Sequence, residues 1–236
     1  MTEKKVLIEA YEVAKNLDFN TIPDIVKRDI DILVDKIDKN KSIICAVVTS
    51  LLKKIENPNQ DVRLHRTDFE NGYSARTLDT QVTIPFFKEY FPRYANKESA
   101  FLTLATRERI KWTKSEGQNL KIRDKELKNS FLNIFEQIQE EQVDPKNYLY
   151  YLFAKLLKIS KRNQKILTNS MIQSKNLEIV TIDVLIGMLQ EHFNYNEKGS
   201  SRLPVISIYT IYQMLLPKFE RYKKQKITSV AITYLV

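Results

Sequence analysis

Apolar positions recur every three or four residues along most of this chain, and that recurrence predicts helices. Near the N-terminus, Val6, Leu7, Ala10, Tyr11 and Ala14 share one stripe. Thr21 is placed to cap a second helix, with Pro23 in its first turn and Ile25, Ile30, Leu33 and Ile37 facing inward. Ser42 opens a third, SIICAVVTSLLKKI, which stops at Asn57-Pro58 because a residue before proline is pushed out of the α region. Helical character returns in PFFKEYF and KESAFLTLA. Asp124 then precedes KELKNSFLNIFEQIQEE, with Leu127, Phe131, Ile134, Phe135 and Ile138 on one face. The segment after Asp144-Pro145, NYLYYLFAKLLKI, is apolar nearly all round, the mark of a central, buried helix. Thr181 caps a further helix, TIDVLIGMLQEHF. Ser200 or Ser201 caps another, SSRLPVISIYTIYQML, with Pro204 in its opening turn and Pro217 ending it. The last ten positions, ITSVAITYLV, are apolar, uncharged and β-rich, a liability unless something covers them.

One region breaks this rhythm. Residues 58–83 show no sustained apolar period, and within them Asn71-Gly72 signals a turn. At the centre stands HRTDFENGYSART, residues 65–77, which is dense in polar groups. A second irregular stretch, KWTKSEGQNLKIR, holds Trp112, the one tryptophan. The expected fold is therefore mainly α: a multi-helix globular domain with an irregular polar loop region and a short C-terminal β segment. The chain divides on this reading into an N-terminal helical bundle (1–57), a helical recognition region (58–226) and an apolar tail (227–236).

Composition narrows the class. A chain of 236 residues with 43% hydrophobic and 28% charged positions has the profile of a soluble globular protein with a sizeable core. No stretch approaches about 18 uncharged apolar residues, so no membrane partner is expected. The charged N-terminus does not resemble a signal peptide, and the lone Cys45 fits a reduced, cytoplasmic protein. Net charge is +9, and it is segregated. Lys146, Lys155, Lys158, Lys161, Arg162, Lys165 and Lys175 follow Asp144 with no acid before Glu178, and seven basic residues between Lys198 and Lys226 face Glu220 alone. Segregated positive charge suits a polyanion, since each neutralised phosphate releases a counterion. A lysine-rich composition with solvated faces explains the same pattern more blandly.

Arginine sharpens the picture. Seven of the eleven arginines (Arg63, Arg66, Arg76, Arg93, Arg107, Arg109 and Arg123) lie between residues 63 and 123, while the rest of the chain prefers lysine. The planar guanidinium fork suits phosphates and guanine edges, and Asn71, Asn96 and Gln118 are of the type that pairs with adenine. Tyr73, Tyr90, Tyr94 and Trp112 add aromatic surface. The competing expectation is internal pairing of these arginines with Asp68, Glu70, Asp79, Glu89 and Glu98. His65, with Asp68 three positions on, is the most chemically suggestive residue, although such a histidine more often serves structure than catalysis. His192 lies near a helix end, where it can meet the last carbonyls. The acidic positions Asp24, Glu126 and Asp144 fall on helices or caps, where carboxylates do not converge on a metal. No P-loop, zinc spacing, dinucleotide turn or serine elbow is present.

Two blocks carry a family resemblance. HRTDFENGYSARTLDTQVTIPFFKEYFP followed by ANKESAFLT, and SSRLPVISIYTIYQML with FERYKKQK, resemble the SacI-like type II restriction endonucleases. The resemblance spans about residues 60–226. It implies site-specific cleavage of double-stranded DNA with Mg²⁺. It also implies an acidic, β-containing catalytic core beyond the Arg-Leu-Pro helix, where this sequence instead reads ITSVAITYLV. The chain thus matches the DNA-binding part of such an enzyme, with the nuclease core lost or carried by a second polypeptide.

On this reading Arg63, Arg66, Asn71, Tyr73, Arg76 and Lys97 contact DNA. Lys155, Lys158, Lys161, Arg162 and Lys165 hold its backbone, and Arg202 lies in the second block. A homodimer is an expected assembly. One alternative is a complete Mg²⁺-dependent endonuclease using His65, Asp68, Glu70 and Asp79. Another is a non-enzymatic helical protein that docks a partner through its apolar C-terminal strand.

Overall fold

The N-terminal stripe becomes α1 (Glu3–Lys15), which buries Leu7, Ala10 and Ala14. A computed structural model describes residues 3–140 and 142–175, together with the isolated positions 187 and 190. Every regular element among them is helical, and no strand occurs among the described residues. The expected β segment at 227–236, the helices from Thr181 and Ser200, His192 and Arg202 lie outside the described residues.

α2 (Asp24–Asp35) starts after Pro23 instead of being capped by Thr21, which closes a short 3-10 turn over Phe19–Thr21. Its inward face is Val26, Ile30, Leu33 and Val34, whereas Ile25 stays 37% exposed. The apolar stripe is therefore set one residue later than Ile25 suggested. α3 (Lys41–Glu56) is buried along nearly its whole length, Cys45 included, and ends at Asn57 as the following proline requires. α6 (Lys125–Gln139) begins as expected: the Asp124 carboxylate accepts from the Leu127 amide at 3.0 Å. Its stripe Leu127, Phe131, Ile134, Phe135 and Ile138 is wholly buried, each side chain contributing about 1.5–3 kcal/mol of transfer free energy. α7 (Pro145–Lys175) buries Tyr148, Leu149, Tyr151, Leu152, Phe153, Ala154 and Leu156, the all-round pattern of a central helix.

α2 packs along α6, and Lys36 ties them by bonding both Asp124 (2.8 Å) and Glu126 (2.6 Å). Beneath this tie the fully buried Asp29 accepts from Gln137 Nε2 at 3.2 Å, and the Tyr148 hydroxyl donates to the same glutamine. The core runs without interruption from Leu7 to Leu156. The compact unit extends over Met1–Leu167, so the boundary expected at 57/58 falls inside one core.

Helix also begins earlier than the periodicity implied. Ala75–Leu78 (α4) leads directly into a π-helical stretch, Asp79–Thr83, and that into α5 (Ile84–Tyr90). Ile84 donates to the carbonyl of Asp79, five residues back. Pro85 explains the widening: it has no N–H to give and its ring crowds the Gln81 carbonyl, so the coil loosens just upstream. A widened turn also scrambles the 3.6-residue apolar period. KESAFLTLA, by contrast, forms only a 3-10 turn at Ala100–Leu102.

Candidate nucleic-acid interface

The block 61–77 is an ordered loop built on its own backbone. The Phe69 amide bonds the Arg66 carbonyl (3.2 Å), Gly72 bonds Phe69 (3.0 Å) and Tyr73 bonds Leu64 (3.0 Å). Asn71 supplies the left-handed residue of the turn, with φ of 59°. Gly72 is demanded by proximity, since a Cβ there would sit 1.9 Å from the Arg66 carbonyl oxygen. Arg66 and Ser74 are thereby folded onto one side of the molecule, with Arg76 following in the first turn of α4.

A second loop, residues 99–112, is zipped to the first. The Trp112 amide donates to the Arg63 carbonyl (3.2 Å), Arg66 Nη1 to the Arg107 carbonyl (2.6 Å) and Arg109 Nη2 to the Asp68 carbonyl (2.9 Å). His65 stacks on Trp112 with ring centroids 4.1 Å apart, and Phe101 stacks on the same indole at 5.7 Å. Trp112 in turn meets Phe131 and Phe135 of α6 at 4.9 Å each, which anchors both loops to the core.

Asp79 fixes the far end of the second loop. Its fully buried carboxylate accepts from Ser99 Oγ (2.7 Å), the Ala100 amide (2.8 Å) and Thr49 Oγ1 (3.3 Å). Burial raises its pKa above the usual carboxylate value, and the three donors offset part of that cost. The π turn thus carries the residue that clamps one loop to α3.

Between the loops lies a cavity of about 400 Å³. Arg66, Arg76 and Arg107 line it with Asp68 the one carboxylate, and the hydroxyls of Thr67, Ser74 and Thr106 share its wall with His65, Phe101 and Leu102. Asp68 is held by Arg66 in a two-pronged pair (2.8 and 2.9 Å), with Arg109 3.8 Å away. Both arginines hold the Asp68 carboxyl below its usual range, Arg66 most strongly. Arg76 and Arg107 are exposed and make no ion pair among the described residues. A cation in the first turn of a helix opposes the backbone dipole, so helix stability does not explain why Arg76 is there.

Several expected site residues turn out to serve the fold. Tyr73 is buried and its hydroxyl donates to Ser50 Oγ at 3.0 Å, so it does not reach a ligand. Tyr94 and Trp112 are buried as well, and Tyr90 stacks on Phe86 at 4.7 Å; the aromatic surface is core. Arg63 is neutralised internally by Asp61 (2.9 Å) and Glu136 (3.5 Å), acids outside the set expected to pair, while the expected kind of pairing is seen at Arg66–Asp68. Asn71 and Lys97 are exposed but do not line the cavity. Lys155 is engaged with Asp31 at 2.8 Å and Lys158 lies over the Phe19 ring, while Lys161 and Arg162 are exposed. Lys165 is helical, its side chain outside the described residues.

The carboxylates do not gather. Asp68 is engaged by arginines, Asp79 is sealed among hydroxyls, and Glu70 is exposed away from the cavity. These positions do not form the Mg²⁺ site that the complete-endonuclease alternative needs, and the described residues contain no group of three or more His, Cys, Asp or Glu placed to hold a metal ion. His65 is not oriented by Asp68. Burial drops its pKa to about 4, which leaves it neutral at pH 7, and its Nε2 has no hydrogen-bond partner. Arg107 and Arg109 are the site residues the sequence reading passed over, although the crowding of arginine into residues 63–123 had flagged their region.

No protein-family profile, curated protein or solved structure matches this chain. No described helix is long and apolar enough to cross a membrane.

Proposed function

We propose that the chain is a mainly helical DNA-binding module, the recognition part of a type II restriction endonuclease that reads double-stranded DNA through the arginine-lined cavity. The observation that supports this most is the charge of one small surface. Arg66, Arg76 and Arg107 line a single cavity against Asp68 alone, with Arg109 behind that carboxylate. Arg66, held by the Arg107 carbonyl and by Asp68, presents its remaining N–H groups at fixed angles. Arg76 and Arg107 add exposed guanidinium forks of the kind that recognises phosphates and base edges. The same surface is built by the polar block that resembles the restriction enzymes. Lys161 and Arg162 add exposed positive charge of the kind that holds a DNA backbone.

Fluorescence anisotropy with labelled duplexes across a salt series tests the reading. Affinity should fall steeply with salt, and Arg76→Ala or Arg107→Ala should each lower the slope by about one if they meet phosphates. If Arg66→Ala and Arg76→Ala weaken every duplex equally, these residues have no part in sequence readout. Binding that ignores salt removes the proposal. Incubating the pure protein with plasmid DNA and Mg²⁺ addresses cleavage separately: a clean negative leaves recognition standing alone.

A further inference from the structure

The cavity is the wrong size for a double helix. About 400 Å³ lies in the range of small-molecule pockets, roughly 300–1,000 Å³, which accommodates one nucleotide and not a duplex. Its chemistry divides in the same way. The arginines are suited to a phosphate, while Phe101 and the His65 ring offer apolar, aromatic wall, and both rings are braced from behind by Trp112. A pocket for phosphate alone would need neither the volume nor the aromatic wall. His65 Nε2 adds a buried polar atom with no partner in the protein.

The loop beside the cavity supplies a second, independent feature. Four large apolar side chains are conspicuously exposed among the described residues, and two of them are Leu102 (38%) and Leu104 (54%). Leu102 lines the cavity, and the exposed Leu104 follows two positions on in the same loop, ahead of the exposed Arg107 and Arg109. Single exposed leucines are ordinary, but an apolar pair on an arginine-rich loop has the makeup of a wedge that enters an opened base step.

Resting on the DNA-binding reading, we infer that the cavity receives one nucleotide swung out of the duplex, with Leu104 occupying the gap left in the stack. Phe101 and His65 face the displaced base, and the three arginines hold its flanking phosphates. Unpairing and unstacking cost energy that a mismatched or unopposed base has already lost, so such a base is captured more tightly.

The test compares short duplexes of one sequence carrying a fluorescent adenine analogue, either fully paired or opposite an abasic spacer. At one salt concentration the unopposed duplex should bind roughly tenfold tighter or more, with fluorescence rising as the analogue leaves the stack. Leu104→Ala, a change at an exposed position, should erode that preference while leaving the salt slope intact. Equal affinity for both duplexes with unchanged fluorescence would overturn the inference and leave duplex binding standing. Failure to bind either duplex would overturn both. Displacement of the unopposed duplex by free deoxyadenosine monophosphate at comparable concentration would also overturn it, because the pocket would then be built for a free nucleotide.

Discussion

Protonating His65 should unfold this protein from beneath its candidate site. The imidazole lies 4.1 Å from Trp112 in a stack closed by Phe101, and burial lowers its pKa from the ordinary 6.5 to about 4. In the unfolded chain the same residue takes a proton near pH 6.5. Between those values the unfolded state binds more protons than the folded one, so stability is intact above pH 6.5 and is lost as the pH falls through about 4. At 1.36 kcal/mol per pH unit, that gap corresponds to on the order of 3 kcal/mol. The perturbation that isolates it is His65→Phe, which keeps an aromatic ring against the indole and cannot titrate. Urea denaturation of both proteins between pH 7 and pH 4 should show the wild type losing on the order of 3 kcal/mol more than the variant. The raised pKa values of Asp29 and Asp79 bend both curves the other way, and they cancel in the difference. Trp112, the chain's one tryptophan, gives a second reading, because an imidazolium stacked on an indole quenches its emission. Parallel stability curves, within about 0.5 kcal/mol throughout, would refute the reasoning.

Three further predictions concern the loops and their supports. Gly72→Ala drives a methyl against the Arg66 carbonyl; it should open the turn, cost about 2–3 kcal/mol of unfolding free energy and weaken DNA binding, and an unchanged melting temperature would contradict it. Tyr73→Phe removes only the bond to Ser50, so denaturation should report a loss of about 1 kcal/mol while duplex affinity stays the same; a marked drop in affinity would return Tyr73 to the interface. Asp79→Asn removes a carboxyl whose pKa is raised by burial, so the stabilising share of that group is present at low pH and is lost as the pH rises through its folded pKa. The deficit of Asp79→Asn relative to wild type should accordingly be larger at pH 4 than at pH 7, and a deficit that grows with pH would count against the buried network.

The helices that bury a regular stripe were legible beforehand, because period and capping agree in them. α6 is the clearest case, with Asp124 as cap and the five-residue stripe buried as expected. Ile25 misled because its neighbour Val26 is equally apolar, and only packing decides between adjacent positions. The helical stretch from Ala75 escaped notice because the wide turn before Pro85 shifts the phase on which the apolar period depends. At the candidate site, residue types pointed to the correct region but not to the right members. Aromatic rings near arginines read as recognition surface, yet Trp112, Tyr94 and Tyr73 are drawn inward by the apolar area they bury. Arg63 and Arg76 look alike in the sequence; the first meets Asp61 and Glu136, and the second meets no acid among the described residues. Asp61 stands two positions from Arg63 and is visible locally, but Glu136 lies 73 residues on, and local pattern carries no trace of it.

The loosened turn at Asp79–Thr83 can be regarded as a single residue slipped into an otherwise regular rod. In an α-helix each residue advances the side chains by about 100°, and a π turn takes up one extra position in nearly the same angular span. Everything beyond it is therefore offset by about 100° from where a uniform α-helix of the same sequence would place it. Arg76, upstream, looks toward the cavity, while Phe86 and Phe87, downstream, are sunk in the core. Winding the same residues into a uniform α-helix, with none removed, would put those two faces about 100° out of phase, forcing the protein to choose between its core and its arginine. The widened turn is what lets this sequence serve both.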